Sequence, residues 1–490
     1  MTKFSIRNAI ISTTLTLSLL LLPGAAFAAD SQQTTTTGTA EATQASASDT
    51  QLIQEVLDYI SKYNVSGVKK DELIRAAIEG MIYQLDDPYT SYFTADELKQ
   101  FQDSINQDYV GIGVTLYFEN NKLYVDSVIS GSPAEKSGIK AGDIITGIDG
   151  VTVTGPETAG GLAGEENTSV KLTVQRGGIT KLFTVTRAEI YLPTVNAAIS
   201  HSKIGYIQLT SFADNADEDF ADALSKLQAS GMKSLVLDLR DNGGGYIDTA
   251  NNIAKHFIDK GILMYTQDQS GLLVPQVISD GVKIGVPVVI LTNENSASAS
   301  EILTGALRDN HVATTVGTTT YGKARIQNVI SLSNGDALKL TTEKYLTPSK
   351  EDFNKIGLKP DFEVKNSTAQ LITAFSLAGL KNIKVSGDSH SLSVDGESFN
   401  GVLDMIKKGN SIYVPSRVLT SLVQGEIAWN AKDKKIIVTD GAGRRNGFTV
   451  ASNQVVFQHE ESYIEIHAFV KQYPSLKWSY SQNKLTLSTP

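Results

Sequence analysis

The chain has 490 residues and a net charge of −10, so several domains are expected and a basic nucleic-acid-binding face is excluded. It has no cysteine, which rules out disulfides, thiolate metal sites and cysteine nucleophiles. Its six histidines are scattered without H-E-x-x-H or comparable spacing, so no metal and no cofactor is expected.

At the N-terminus Lys3 and Arg7 precede an apolar run from Ala9 to Leu22. Pro23-Gly24 breaks the run, and Ala26-Phe27-Ala28 offers an A-x-A cleavage site. The pattern predicts a signal peptide over residues 1–28, because the run is shorter than the roughly 18 residues of a spanning helix. An uncleaved anchor is the alternative. Either way the working part is expected to be exported, to an extracellular, periplasmic or cell-envelope location in a bacterium. Residues 29–50, rich in Ser, Thr, Gln and Ala, predict a flexible linker.

Residues 51–107 carry helical periodicity in "LIQEVLDYISKY" and "ELIRAAIEGMIYQL". They close with "DDPYTSYFTADELKQF", where Thr94 can cap a helix starting at Ala95 with Glu97 at the capping-box position. A helical piece this small fits an oligomerisation element. Strands and turns follow over 108–187, beginning with the turn Val110-Gly111-Ile112-Gly113. A tight turn between strands is the plain reading. A dinucleotide fingerprint would need a third glycine and a following helix, and both are missing. A loop of N–H groups beside an open strand edge can also hold a peptide's terminal carboxylate. The continuation "GSPAEKSGIKAGDIITGIDG" resembles the PDZ domain. That resemblance implies that Val110, Gly111, Ile112 and Gly113 take a substrate tail.

Residues 188–383 read as α/β. "SLVLDLR" is a buried strand, and it runs into the turn "DNGGGY" before the helix "IDTANNIAKHFI". Converging N–H groups make such a turn an anion or oxyanion site, or simply a tight turn; the G-K-[ST] of a phosphate loop is absent. A second buried run, "VPVVILT", leads to "NSASASE" and the helical "EILTGALRDN". Three serines therefore sit where a strand meets a helix, either as caps or with one nucleophile among them. His311 falls beyond the far end of that helix, about 15 Å from its start, which makes it a poor base. Lys323, in "TTTYGKARIQ", could serve if burial kept its amine neutral, though a loop lysine alone usually reads as a solvated charge.

Taken together, "LVLDLRDNGGG", "NSASASEILTGALRDN" and "TYGKARIQ" resemble the carboxy-terminal processing (tail-specific) proteases, a Ser/Lys peptidase family. The likeness covers about residues 51–380 and includes "GMIYQLDDPYTSYF" and "KLTTEKYLTPS…GLKPD". It implies Ser298 as nucleophile, Lys323 as its base and Gln327 as the residue that orients the lysine. Ser296 and Ser300 are then capping or packing residues. The N–H of Ala299, with that of Gly244 or Gly245, is the expected oxyanion donor pair, and Asp309 is an acidic supporting position. The family usually has proline where Gly243 stands and glycine where Ala324 stands.

Residues 384–490 hold an internal repeat: "YVPSRVLTSLVQGEIAWNAKDKKIIV" is echoed by "YIEIHAFVKQYPSLKWSYSQNKLTL", pairing Tyr413 with Tyr463 and Trp429 with Trp478. It resembles the stalk-like domain at the N-terminus of some copper amine oxidases, here as a spacer or binding module without copper. His459 and His467 read as ordinary surface or strand residues.

The expected fold is a multidomain α+β/α-β chain: a helical N-terminal part, a PDZ domain, an α/β serine protease core and a small α+β stalk-like domain. The expected activity is cleavage of proteins near their free C-termini, by a homodimer with a cell-wall or surface partner and no nucleic acid. Two rivals stand beside it. One is a catalytically silent PDZ scaffold; the other is a Ser–His hydrolase using His201, His256 or His311.

Overall fold

The computed structural model describes residues 27–30 and 47–490. Most of the expected signal peptide and linker lies outside the described residues. Among the described residues no helix is long and apolar enough to cross a membrane. The chain divides into two compact units, one containing Asp96–Pro193 and the other Ala26–Ala95 with Thr194–Pro490.

The larger unit is built on a six-stranded sheet. Val195–Ile199 runs antiparallel to Ile204–Leu209; from there Ser234–Asp238, Val288–Thr292, Thr314–Gly317 and Phe362–Glu363 follow in parallel register. Ser234–Asp238 and Val288–Thr292 are buried at every position. Their sequences lack alternation because the sheet is covered on both faces. Leu235, Leu237, Val288 and Ile290 pack with the helices Ala216–Ala229, Ile247–Ala254 and Ala299–Asp309. The intervening residues Val236, Val289 and Leu291 pack with the helix Ser367–Leu377 and with Val385, Leu392, Val414 and Leu487 of the C-terminal region.

The C-terminal region shares one hydrophobic core with this sheet, whose strands would otherwise expose half their side chains to water. Within it, Ser411–Pro415 and Glu461–Glu465 each lead into a short helix and then a strand pair, and the two lead strands pair antiparallel through Val414 and Ile464.

A second, seven-stranded sheet carries Arg325–Ser331 beside Ala337–Leu346. Ser91–Phe93 adds to Ala337–Leu346, so the residues before the first boundary at 107 are not all a separate helical part. The short strand Phe27–Asp30 lies parallel between Gly244–Tyr246 and Arg325–Ser331. The helices Ala47–Tyr63 and Lys70–Tyr83 form a pair with little cover: the second buries none of its residues, and Leu52, Ile53, Tyr59, Tyr63, Met81 and Tyr83 are all exposed.

The smaller unit is a sheet with Val114–Glu119 at one end of its strand order, then Lys122–Val128, Ile144–Ile148, Ser169–Arg176 and Ile179–Thr186. Its core is Ile112, Leu116, Val125, Ile145, Leu172 and their neighbours. The expected strand edge is therefore there, on Val114–Glu119. Gly113 sits at φ +80°, and a Cβ on it would come within 2.3 Å of Ser132 Cβ, so only glycine fits this turn. The carbonyls of Ile112 and Gly113 accept from Ala134 and Ile129. Among the described residues their amides donate none of the loop hydrogen bonds.

Candidate active site

Open α/β sheets place their chemistry beyond the carboxyl ends of parallel strands. Ser234–Asp238 and Val288–Thr292 are direct neighbours, so the glycine turn after one and the serine run after the other emerge side by side.

Asn242 locks the two loops together. Its Nδ2 donates to Leu209 O (2.8 Å), its Oδ1 accepts from Gly244 N (2.9 Å), and its carbonyl accepts from Ala297 N and from Ser300 Oγ. Ser296 Oγ donates to Leu239 O and accepts from Asn293 N. Ser296 and Ser300 are thus spent on holding the turn. Ser298 differs: its hydroxyl is buried and has no hydrogen-bond partner. The amide of Glu301 goes to the Ser298 carbonyl oxygen (2.8 Å) rather than to the hydroxyl. The Ser298 backbone stands at φ 56°, ψ −115°, a conformation that costs a non-glycine residue about 1–3 kcal/mol. A strained serine on a sharp strand-to-helix turn is also the placement of the nucleophile in α/β-hydrolases.

Two side chains that the sequence reading passed over join this serine to Lys323. The buried Glu301 carboxylate accepts from Ser298 N (2.9 Å) and Lys323 N (2.9 Å) on the same oxygen, and from Gly322 N (2.7 Å) and Thr320 Oγ1 (2.5 Å) on the other. The two backbone nitrogens therefore lie no farther apart than twice 2.9 Å. The fully buried Tyr345 hydroxyl donates to Ser298 O (3.3 Å) and also contacts Lys323 O. A shared carboxylate and a shared hydroxyl hold the two segments from both sides. Glu301 had a visible signal: with Ser298 at the N-cap it completes S-x-x-E, the capping-box spacing. Tyr345 had none.

Lys323 is completely buried. Burial holds its amine well below the ordinary lysine range and the charge of Lys339 pushes the same way, against the opposing pull of Glu301 and Asp87. Lys339, a second buried lysine, is pulled down by burial to about 8. Gln327 is buried, with Nε2 on Thr341 Oγ1 (3.2 Å) and Oε1 unpartnered. An unpaired buried carbonyl oxygen is an acceptor waiting for a donor.

Of the three expected oxyanion donors, Gly244 has its amide bonded to Asn242 Oδ1 (2.9 Å), and Gly245 is paired with Ala28 of the strand Phe27–Asp30. Ala299 opens the helix Ala299–Asp309 with its amide in none of the loop hydrogen bonds among the described residues. Gly245 lies at φ +142°, where a Cβ would strike Phe212 O at 2.2 Å. Gly243 has open space at its Cβ and no positive φ, so the loop does not depend on a proline or a glycine there. Ala324 is also outside the positive-φ residues, and the loop takes alanine without strain. Asp309 pairs with Arg308 Nε (2.8 Å) and accepts from Ser349 N (2.9 Å), a structural role at the far end of the helix.

The histidines sit elsewhere. His311 follows that far end and lines a cleft with Arg308 and Asp309; His256 packs on Phe220; His201 lies beside Gly396. His459 stands in a turn at φ 49°, and His467 pairs with Glu465 (2.8 Å). No group of three potential metal ligands occurs among the described residues.

Comparison with known proteins adds three family matches. A peptidase family S41 model matches residues 203–364, a PDZ domain model matches 124–176, and a model of the activating protease CtpB N-terminal domain matches 20–97. The "Probable CtpA-like serine protease" of Staphylococcus aureus strain MRSA252 is 36% identical over 341 residues, covering 68% of this chain and 67% of that one. The protein of the same name from Staphylococcus haemolyticus strain JCSC1435 is 34% identical over 358 residues, covering 70% and 71%. Among solved structures, a photosystem II D1 C-terminal processing protease aligns with a TM-score of 0.42 at 28% identity, over 66% of this chain and 94% of that one.

Proposed function

The chain belongs to peptidase family S41 and is a serine peptidase with a PDZ domain; from that premise we propose that it is an exported Ser/Lys endopeptidase that cuts proteins near their C-termini. The observation that carries this reading is the joint tethering of Ser298 and Lys323 to Glu301 and Tyr345, with the Ser298 hydroxyl left unpaired.

The neutral Lys323 amine takes the Ser298 proton as Oγ attacks the scissile carbonyl carbon. The oxyanion is held by Ala299 N–H and Gly245 N–H, where charge develops. The Lys323 ammonium then returns the proton to the leaving amine, the C–N bond breaks, and an acyl-serine remains. Water, deprotonated by the same amine, attacks the ester; the C–Oγ bond breaks, the ammonium returns its proton to Ser298 Oγ, and the new C-terminus is freed. Gln327 Oε1 accepts from the ammonium and fixes its direction. The gap between Gly244–Tyr246 and Arg325–Ser331, which takes the strand Phe27–Asp30, suits an extended peptide backbone.

In this reading the PDZ unit selects substrates, with a terminal carboxylate on the Ile112 and Gly113 amides and the peptide added to the Val114–Glu119 edge. The exposed apolar face of the helices Ala47–Tyr63 and Lys70–Tyr83 pairs with a second copy. The repeat region, cored with the protease sheet, offers its outer surface to the cell envelope.

The test is hydrolysis of an unfolded reporter with an apolar C-terminal tail by the chain starting at Ala29, beside Ser298→Ala and Lys323→Ala. Cleavage by the parent alone supports the dyad. Cleavage surviving Lys323→Ala moves the base to another residue, and tail binding without cleavage in any form leaves a peptide-binding scaffold.

A further inference from the structure

The stretch Asp87-Pro88-Tyr89-Thr90 precedes the PDZ insertion and takes no part in the steps above. It is nevertheless folded into the wall of the site. Asp87 Oδ1 accepts from Tyr89 N (3.1 Å) and its Oδ2 from Thr90 Oγ1 (2.6 Å), which closes the stretch on itself. Thr90 Oγ1 in turn accepts from Thr341 N (3.1 Å), a residue 251 positions later. Thr341 Oγ1 accepts from Gln327 Nε2 (3.2 Å). A continuous hydrogen-bonded path thus runs from the Asp87 carboxylate to the amide whose other end is unpartnered. The Tyr89 ring lies 5.2 Å from Lys323 Nζ, and Tyr89 and Thr90 are both buried.

The chemistry gives this arrangement a purpose. When Lys323 accepts the serine proton, an ammonium appears in a site closed to water, with the charge of Lys339 opposing it. The charged groups that face Lys323 are Glu301 from the nucleophile helix, Lys339 from the neighbouring strand and Asp87 from this stretch. An aromatic ring face and a carboxylate are the groups that offset a buried ammonium.

We propose that Asp87, Tyr89 and Thr90 are positioning residues for the general base: Tyr89 and Asp87 receive the ammonium, and Thr90 with Thr341 aims Gln327 at it. The proposal rests on the Ser/Lys reading. It makes the base depend on a segment more than two hundred residues away in sequence.

The experiment has two readouts. In kcat/KM against pH, the rate rises as Lys323 loses its proton, so the position of that acid limb reports its pKa. Tyr89→Leu and Asp87→Asn each remove stabilisation of the ammonium and are expected to move the limb to lower pH by roughly half to one unit. Tyr89→Phe, which keeps the ring, is expected to leave the limb in place. Thr90→Val is expected to lower kcat about ten-fold with KM unchanged, since it loosens Gln327 without touching substrate. The second readout needs no activity: NMR titration of the Lys323 Cε signal in 13C-lysine-labelled Ser298→Ala protein, identified by its loss in Lys323→Met. The same downward displacement in Tyr89→Leu and Asp87→Asn is expected there. Folded variants in which the Lys323 titration does not move would overturn the proposal. A parent chain that hydrolyses nothing would instead sink the protease reading, and the titration would still decide this one.

Discussion

The loop around Ser298 and the helix pair Ala47–Tyr63 and Lys70–Tyr83 are opposites in how they are held. At Ser298 nearly every polar group has a partner, with Asn242 and Glu301 each serving several, and the one hydroxyl left out is the one expected to react. In the helix pair the apolar side chains are left out instead, with Leu52, Ile53, Tyr59 and Met81 facing solvent. The first region is over-determined, so it can store an unfavourable serine conformation and a lysine whose burial holds its amine well below the ordinary range. The second is under-packed as a single copy, as expected of a surface that another protein covers. In the proposed reading a missing contact marks chemistry where it is a polar atom in a rigid loop, and association where it is an apolar face.

Four experiments break or sharpen that contrast. The largest effect is expected from Glu301→Gln, which turns a four-donor acceptor into a group with one acceptor oxygen. Two backbone amides lose their partner, so stability should fall by about 2–4 kcal/mol and kcat by roughly a hundred-fold or more. Denaturant melts and reporter kinetics measure both. A Glu301→Gln protein as active as the parent would show that the loop does not need its hub.

Lys339 gives a pH-dependent test of the same buried wall. Its folded pKa, about 8, lies below the ordinary 10.5 because burial penalises the charge, so the unfolded chain holds more protons between those values. Stability should therefore rise with pH across that window, and the charged form below it should cost about 3 kcal/mol. Melting temperature between pH 7 and 10.5 should climb in the parent and be flatter in Lys339→Met, which should also be the more stable protein at pH 7.

On the helix pair, Leu52→Glu with Tyr59→Glu should leave the melting temperature nearly unchanged, because both side chains are more than half exposed and Tyr59 packs only on the exposed Tyr63 ring. It should weaken self-association by ten-fold or more, read by light scattering across a dilution series. A parent already monomeric at high concentration would assign that face to a different partner. The smallest effect is expected from Gly243→Pro. The Cβ space is open and φ is not positive, so stability should change by less than about 1 kcal/mol, upward if the loop's φ suits the ring.

Much of the site was legible in the primary structure. The uninterrupted runs "SLVLD" and "VVILT" told of strands buried on both faces, and the glycine turn and serine run after them told where chemistry could gather. The spacing of Ser298, Lys323 and Gln327 came from family resemblance, and the structure places all three side chains in its buried interior. Other parts were not legible. Gly244 looked as good a donor as Gly245 until the Asn242 side chain was seen to occupy it. The C-terminal region looked independent because its repeat is self-similar, yet the sheet's second face needed cover and took it from there.

By itself, then, the sequence determined the candidate residue types and the strands that deliver them. These are properties of neighbours along the chain, written in periodicity, composition and short spacing. Only the tertiary structure decided that Glu301 and Tyr345 join Ser298 to Lys323, that Thr90 meets Thr341 across 251 residues, and that Asn242 takes the Gly244 amide. Those depend on which strands lie side by side and which buried polar groups must share the few partners within reach, and no local pattern records that.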